Sequence, residues 1–227
     1  MALERVLEPE VMDSPEEALD YDSMDHSGVN QLFVDDMIAS GEIGNDILDL
    51  GTGTAQIPIA ICQRLEDVRI MAVDMAIAML DIARLNIEVE SLIQRITLDK
   101  IDAKEMPYED GLFDLVISNS IIHHIPEPLE VLKEAVRVTK ADGGRLFFRD
   151  LMRPSSDKEV AELVATYAGD ENEHQRKMFE DSLRAALSLE EIRELVVSLG
   201  FDADSVQASS DRHWTWQATR SDVPTND

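Results

Sequence analysis

Residues 47–54 read Ile47-Leu48-Asp49-Leu50-Gly51-Thr52-Gly53-Thr54, an apolar run that breaks into two glycines one residue apart. That pattern is a strand ending in a tight turn, and the helix expected after it presents its positive end. Without Cβ atoms such a turn lets backbone N–H groups come close to a bound ligand. Asp74 ends the next apolar run, 23 residues after Gly51. A carboxylate at the tip of the neighbouring strand can accept hydrogen bonds from a ribose diol. Together the two features point to a nucleoside-containing cofactor.

The turn also discriminates between cofactors. A dinucleotide site has a small residue three positions after the second glycine, where the pyrophosphate lies against the helix. Here that position is Gln56, a poor fit. Asp49, ahead of the first glycine, would repel a pyrophosphate but suits a cation such as the amino group or sulfonium of a methionine-derived cofactor. The contrast favours S-adenosylmethionine over NAD and sets an NAD-dependent oxidoreductase aside.

The elements that must hold these residues alternate along the chain. Short strands are expected at 47–50, 68–73, 96–101, 113–118 and 145–148, with helices at 54–65, 76–90 and 127–138. Such β/α alternation predicts an α/β fold, a doubly wound and mostly parallel sheet with helices on both faces. Ahead of it, residues 1–41 read as a helical arm covering the site, with a helix at 27–40. After the fifth strand, residues 154–187 read as an inserted helical lid, two helices around Gly169. Ser188 and Glu191 form a capping-box pattern that opens a further helix closing at Gly200. Segments 203–208 and 212–219 predict a C-terminal antiparallel hairpin, which makes seven strands. The body thus spans 42–220, with a frayed tail at 221–227.

This order of signals resembles the class I, Rossmann-like S-adenosylmethionine-dependent methyltransferases. The resemblance covers about residues 43–150 and rests on four runs, each at a strand end: Leu48 to Thr54, Val73 to Leu80, Ile101-Asp102-Ala103, and Phe113 to Asn119 with His123-His124. It implies that Asp49, Gly51, Thr52, Gly53 and Thr54 border the methionine part and that Asp74 holds the ribose hydroxyls. Met75 and Met79 would flank the adenine, Asp102 would accept from its exocyclic amine, and Ala103 would offer a backbone N–H. Asn119 and Ser120 would lie near the methionine end. Ala55 departs from the family, many members having glycine there.

Methyl transfer from a sulfonium is an in-line displacement, so alignment and water exclusion do most of the work. A base is needed only where the acceptor must lose a proton. His123, His124 and Asp150 are the candidates, with Arg149 and Arg153 as clamps for a substrate carboxylate or phosphate. Tyr21 and His26 in the arm, and Tyr167 and His174 in the insertion, are further candidates for the substrate side. Trp214 and Trp216 share one strand face and suit either the core or a homodimer seam. No metal site is expected: adjacent histidines on a regular element point apart, and no His-Glu-x-x-His spacing occurs.

With 20 Lys and Arg against 47 Asp and Glu, the net charge is −27. Nucleic-acid backbones need Lys and Arg to displace counterions, so an RNA or DNA substrate is disfavoured, Arg145, Arg149 and Arg153 being the sole hint of a basic groove. No apolar run reaches membrane-spanning length, the first residues do not resemble a secretion signal, and Cys62 is the single cysteine. These features predict a cytoplasmic protein with no membrane span. The expected function is methylation of a small molecule at O, N or C. Methylation of tRNA or protein, and a cofactor-binding module without transfer activity, are the alternatives.

Overall fold

The computed structural model describes residues 3–8, 13–23 and 26–220. The expected tail at 221–227 and part of the arm lie outside the described residues. In chain order the elements are α1 (Pro15–Ser23), α2 (Ser27–Ala39), β1 (Asp46–Leu50), α3 (Gln56–Arg64), β2 (Arg69–Asp74), α4 (Ile77–Val89), β3 (Ile96–Lys100) and β4 (Leu115–Asn119). A 3-10 turn (Ile122–His124) follows, then α5 (Pro128–Val138), β5 (Arg145–Leu151), α6 (Asp157–Tyr167), α7 (Glu173–Ala185), α8 (Leu189–Ser198), β6 (Val206–Ala208) and β7 (His213–Thr219).

The seven strands form one sheet in the order β3-β2-β1-β4-β5-β7-β6. The first five are mutually parallel, and β7 runs antiparallel to both of its neighbours, β5 and β6. The order reverses between β1 and β4, and in open sheets of this kind the crevice beyond the strand ends at that point is where ligands bind. β4 and β5 are buried along almost their whole length, as strands covered on both faces must be.

Alternation along the strands sorts the core into two layers. Ile47 and Phe147 pack with Phe33 and Met37 of α2, Ile61 of α3 and Ala83 of α4. Leu48 and Phe148 face the other way, onto Val131 and Ala135 of α5 and Ile192 and Val196 of α8. Pro128 opens α5 at a position whose N–H would be unpartnered anyway. The capping box of Ser188 and Glu191 opens α8 as its sequence predicts, and Asn172 with Gln175 does the same for α7.

Trp214 and Trp216 are fully buried, with Trp216 against Phe148 and Phe201 at 5.5 and 5.4 Å between ring centroids. Both belong to the core of the sheet. Cys62 is a buried core residue of α3.

Two differences from the expected elements exceed a shift of two residues at an end. β5 continues to Leu151, so Arg149 and Asp150 belong to the strand and not to the loop after it. Both are buried because β7 pairs beside them, Arg149 with Thr215 and Asp150 with Trp214. Residues 203–205, expected in the hairpin, form a 3-10 turn capped by Asp202. Among the described residues no helix is long and apolar enough to cross a membrane.

Candidate functional site

At the switch point the turn after β1 is stitched to β2. Gly51 and Thr52 both donate their amides to the Val73 carbonyl at 2.9 Å. Gly51 sits at φ +71, and a Cβ there would lie 2.0 Å from Cγ2 of Ile121, so no other residue fits. Asp74 closes the stitch: Oδ2 accepts from the Gly53 amide at 2.8 Å and Oδ1 from the Ala76 amide at 2.9 Å. Ala55, where the resembling family often has glycine, is itself left-handed at φ +63.

Two cavities share Tyr21, Gly51 and Asn119 in their walls. The larger is lined by Gly53, Asp74, Met75 and Met79 on one side and by Asp102, Ala103 and Ser120 on another. The smaller is lined by Asp49, Thr52 and Thr54. All twelve residues expected to hold the cofactor therefore border one continuous region beyond the ends of β1, β2, β3 and β4. Asp102 is fixed there by accepting the Lys104 amide at 2.9 Å.

The charge in this region is negative and poorly solvated. Burial, reinforced by Asp74, pushes the Asp49 carboxyl up to about 7. Burial also raises Asp74, although the Ala76, Gly53 and Met75 amides oppose it. Tyr21 is pushed up to about 12 by burial and by the facing carboxylates of Asp74, Asp49 and Asp22. Oδ2 of Asp49 and Oγ1 of Thr54 are buried with no hydrogen-bond partner among the described residues. Orphaned acceptors of this kind fit a ligand that brings cationic donors.

Beside the larger cavity lies a second cluster. Nδ1 of His123 stands 2.5 Å from Oδ1 of Asp150, and Oδ2 of Asp150 accepts the amide of Ile122 at 2.5 Å. Burial would lower His123, but the Asp150 carboxylate outweighs it and raises the imidazole; the same pairing outweighs burial at Asp150 and lowers it. Glu8 from the arm reaches both histidines, Oε1 lying 3.4 Å from Nε2 of His123 and 3.1 Å from Nδ1 of His124. Burial raises the Glu8 carboxyl. Of the three catalytic candidates, His124 lines the cavity, while His123 and Asp150 stand behind it.

The adjacent histidines do not diverge as a regular element would make them. The 3-10 turn brings their rings to 4.2 Å between centroids with a 34° tilt. That overturns the geometric ground for expecting no metal ligands here.

Five of the six substrate-side candidates do not line these cavities as their sequence positions suggested. Arg149 donates to Oγ1 of Thr215 at 2.9 Å and pairs with Asp36 at 2.7 Å, on the α2 face of the sheet. Arg153 donates to the Ala186 carbonyl and pairs with Glu191 at 2.6 Å. Tyr167 is exposed, with its hydroxyl on Asp211 and its ring under Arg212. His174 is exposed in the first turn of α7. The insertion itself packs on Leu151 through Val160, Leu183 and Ala186, and its Ser182 donates to Glu8 beside the histidine pair. Tyr21 does reach it, and His26 stacks on Tyr21 at 4.6 Å.

Arg145 bonds to the Ser40 and Glu42 carbonyls, so the three arginines of the supposed basic groove go to three separate structural tasks. Sequence reading missed Glu8 and Arg5, because a single acid among many in the arm carries no spacing signal. It also missed Ile121 and Lys104, which carry no motif of their own yet line the larger cavity.

Residues 47–143 match the family described as Methyltransferase domain. The chain is 31% identical over 182 residues to a malonyl-[acyl-carrier protein] O-methyltransferase of Geobacter sulfurreducens, covering 77% of this chain and 64% of that protein. It is 35% identical over 101 residues to a demethylmenaquinone methyltransferase of Lactobacillus johnsonii, covering 44% and 41%. The chain thus spans less than two thirds of these curated relatives. Its fold is shared with a SAM dependent methyltransferase from Aquifex aeolicus, at a TM-score of 0.66 and 17% identity over 91% of this chain and 98% of that one. The family uses S-adenosylmethionine. By its family match over residues 47–143, its strand order and its switch-point crevice, the chain is similar to the class I, Rossmann-like S-adenosylmethionine-dependent methyltransferases.

Proposed function

We propose that this chain transfers a methyl group from S-adenosylmethionine to a small-molecule acceptor at O, N or C. The observation that carries the reading is the convergence of twelve residues from four separate strand ends on one crevice. When bound, S-adenosylmethionine supplies a sulfonium methyl for in-line displacement. The chain's own residues then hold and align. Asp49 and Thr54 accept from the ammonium end, Asp74 takes the ribose hydroxyls, and Met75 and Met79 flank the base. Asp102 accepts from the exocyclic amine, Ala103 offers its N–H, and Asn119 and Ser120 border the methionine end. His124 is the group to take a proton from an acceptor that must lose one, with His123 and Asp150 fixing its surroundings.

Support for a small acceptor is twofold. One relative's name states demethylmenaquinone, a small molecule, as its substrate. The arginines that would have served a polyanion are committed to Asp36, Glu191 and the Ser40–Glu42 carbonyls. The test is transfer from methyl-labelled S-adenosylmethionine into a host extract separated into metabolite, RNA and protein fractions. Label in metabolites that is lost with Asp74→Ala is the expected result. Label in RNA or protein would overturn the choice of acceptor, and binding without any transfer would overturn the activity.

A further inference from the structure

We propose that Glu8, His123 and His124 form a binding site for a divalent cation of the zinc class at the rim of the cofactor cavity. Three donor atoms converge there, one from each residue, all within 4.8 Å of one another. Oε1 of Glu8 is the common point, 3.4 Å from Nε2 of His123 and 3.1 Å from Nδ1 of His124. Two ligands each about 2.0–2.1 Å from one tetrahedral zinc ion lie roughly 3.3 Å apart, so small adjustments would seat a cation between them. Two imidazoles and a carboxylate are a donor set that borderline divalent metals accept, and that magnesium and calcium do not seek.

The surroundings are those of a metal site as much as the donors are. His123 is held through Nδ1 by the buried Asp150, which fixes the ring and leaves Nε2 to face Glu8. Metal-bound histidines almost always have such an outer carboxylate or carbonyl partner. Ser182 donates to Oε2 of Glu8 at 3.2 Å, which orients that carboxylate and leaves Oε1 to the histidines. Arg5 spends its donors on the carbonyls of Ala185, Ile125 and His123. Glu8 and Asp150 bring two negative charges into a largely buried place, and one divalent cation balances both.

His124 also lines the cofactor cavity, so a cation here would sit where it could bind an acceptor oxygen. That consequence rests on the methyl-transfer reading; cation binding itself does not.

The experiment strips the full chain with a chelator and titrates it with Zn2+, and separately with Co2+, whose visible absorption reports nitrogen and oxygen ligation. Wild type is expected to retain one equivalent after gel filtration, and Glu8→Gln and His124→Asn to retain none. S-adenosylhomocysteine binding serves as the fold control for Glu8→Gln, since Glu8 lies outside the cofactor cavities. If His124→Asn fails to fold, Glu8→Gln decides alone. Failure of wild type to retain a cation, or equal retention by a folded Glu8→Gln, would overturn the site. Neither result bears on whether methyl transfer occurs.

Discussion

The Asp74 carboxylate accepts the Gly53 amide at 2.8 Å, so the tip of β2 is tied directly to the glycine turn that follows β1. One side chain therefore shapes the turn, and under the proposed function its remaining lone pairs would receive a ribose. Asp74→Asn removes the charge while keeping the size. Hydrogen bonds to a charged group contribute about 1.5–3 kcal/mol, so S-adenosylmethionine binding is expected to weaken by roughly 10- to 150-fold. Calorimetric titration measures it, and an unchanged affinity would remove Asp74 from the cofactor site.

Asp49 makes a pH prediction. Its carboxyl, raised by burial to about 7, must be ionised to receive the ammonium of the cofactor. Affinity is then expected to climb as pH rises toward 7, by at most about tenfold per unit below that value, and to level off above it. Asp49→Asn should flatten this profile. The stability of the unliganded protein runs the other way. A raised carboxyl favours the protonated folded state, so its contribution is full below about pH 4 and is lost as pH approaches 7. Thermal unfolding with and without S-adenosylhomocysteine across that window reads both trends.

Gly51 and Gly53 should differ in their tolerance of a methyl group. Alanine at Gly51 meets Ile121 at 2.0 Å as well as a left-handed backbone, whereas at Gly53, φ +54, nothing lies nearer than Tyr21 at 3.8 Å. Gly51→Ala is expected to cost roughly 2–4 kcal/mol by overlap and strain. Gly53→Ala should cost about 1 kcal/mol from backbone strain alone. Urea unfolding separates the two, and equal losses would contradict the assigned contact with Ile121.

Arg149 is expected to matter for stability and not for the cofactor. Its guanidinium bonds to Thr215 and Asp36 and lies 5.8 and 5.7 Å from the ring centroids of Phe33 and Phe147. Arg149→Leu should lower unfolding stability by about 1–3 kcal/mol, because Thr215 loses a buried partner, and leave the S-adenosylhomocysteine Kd unchanged. A weakened Kd with intact stability would return Arg149 to the ligand site.

Glycine spacing, the acid at the tip of β2 and the β/α alternation made the sheet and the crevice at its switch point legible, because each depends on short-range backbone geometry. The end of β5 was not. Arg149 and Asp150 read as a polar loop, yet both are satisfied inside the strand by partners more than 25 residues away: Thr215 and Asp36 for Arg149, His123 for Asp150. Pairings over such distances leave no period in the sequence. Glu8 was hidden for the same reason, its partners being His123, His124 and Ser182. The histidine pair was misjudged because a 3-10 turn, not a strand or an α-helix, sets its ring directions. Tyr167 and His174 were over-read: position in an insertion says nothing about which face of it meets the site.

The central claim is that the crevice between β1, β2 and β4 holds S-adenosylmethionine. The most direct measurement is calorimetric titration of the full chain with S-adenosylhomocysteine, repeated with NADH. Saturable one-to-one binding of S-adenosylhomocysteine, weakened in Asp74→Asn and in Asp102→Ala, with no heat from NADH, is the predicted result. Binding of NADH, or S-adenosylhomocysteine binding indifferent to both substitutions, would contradict it.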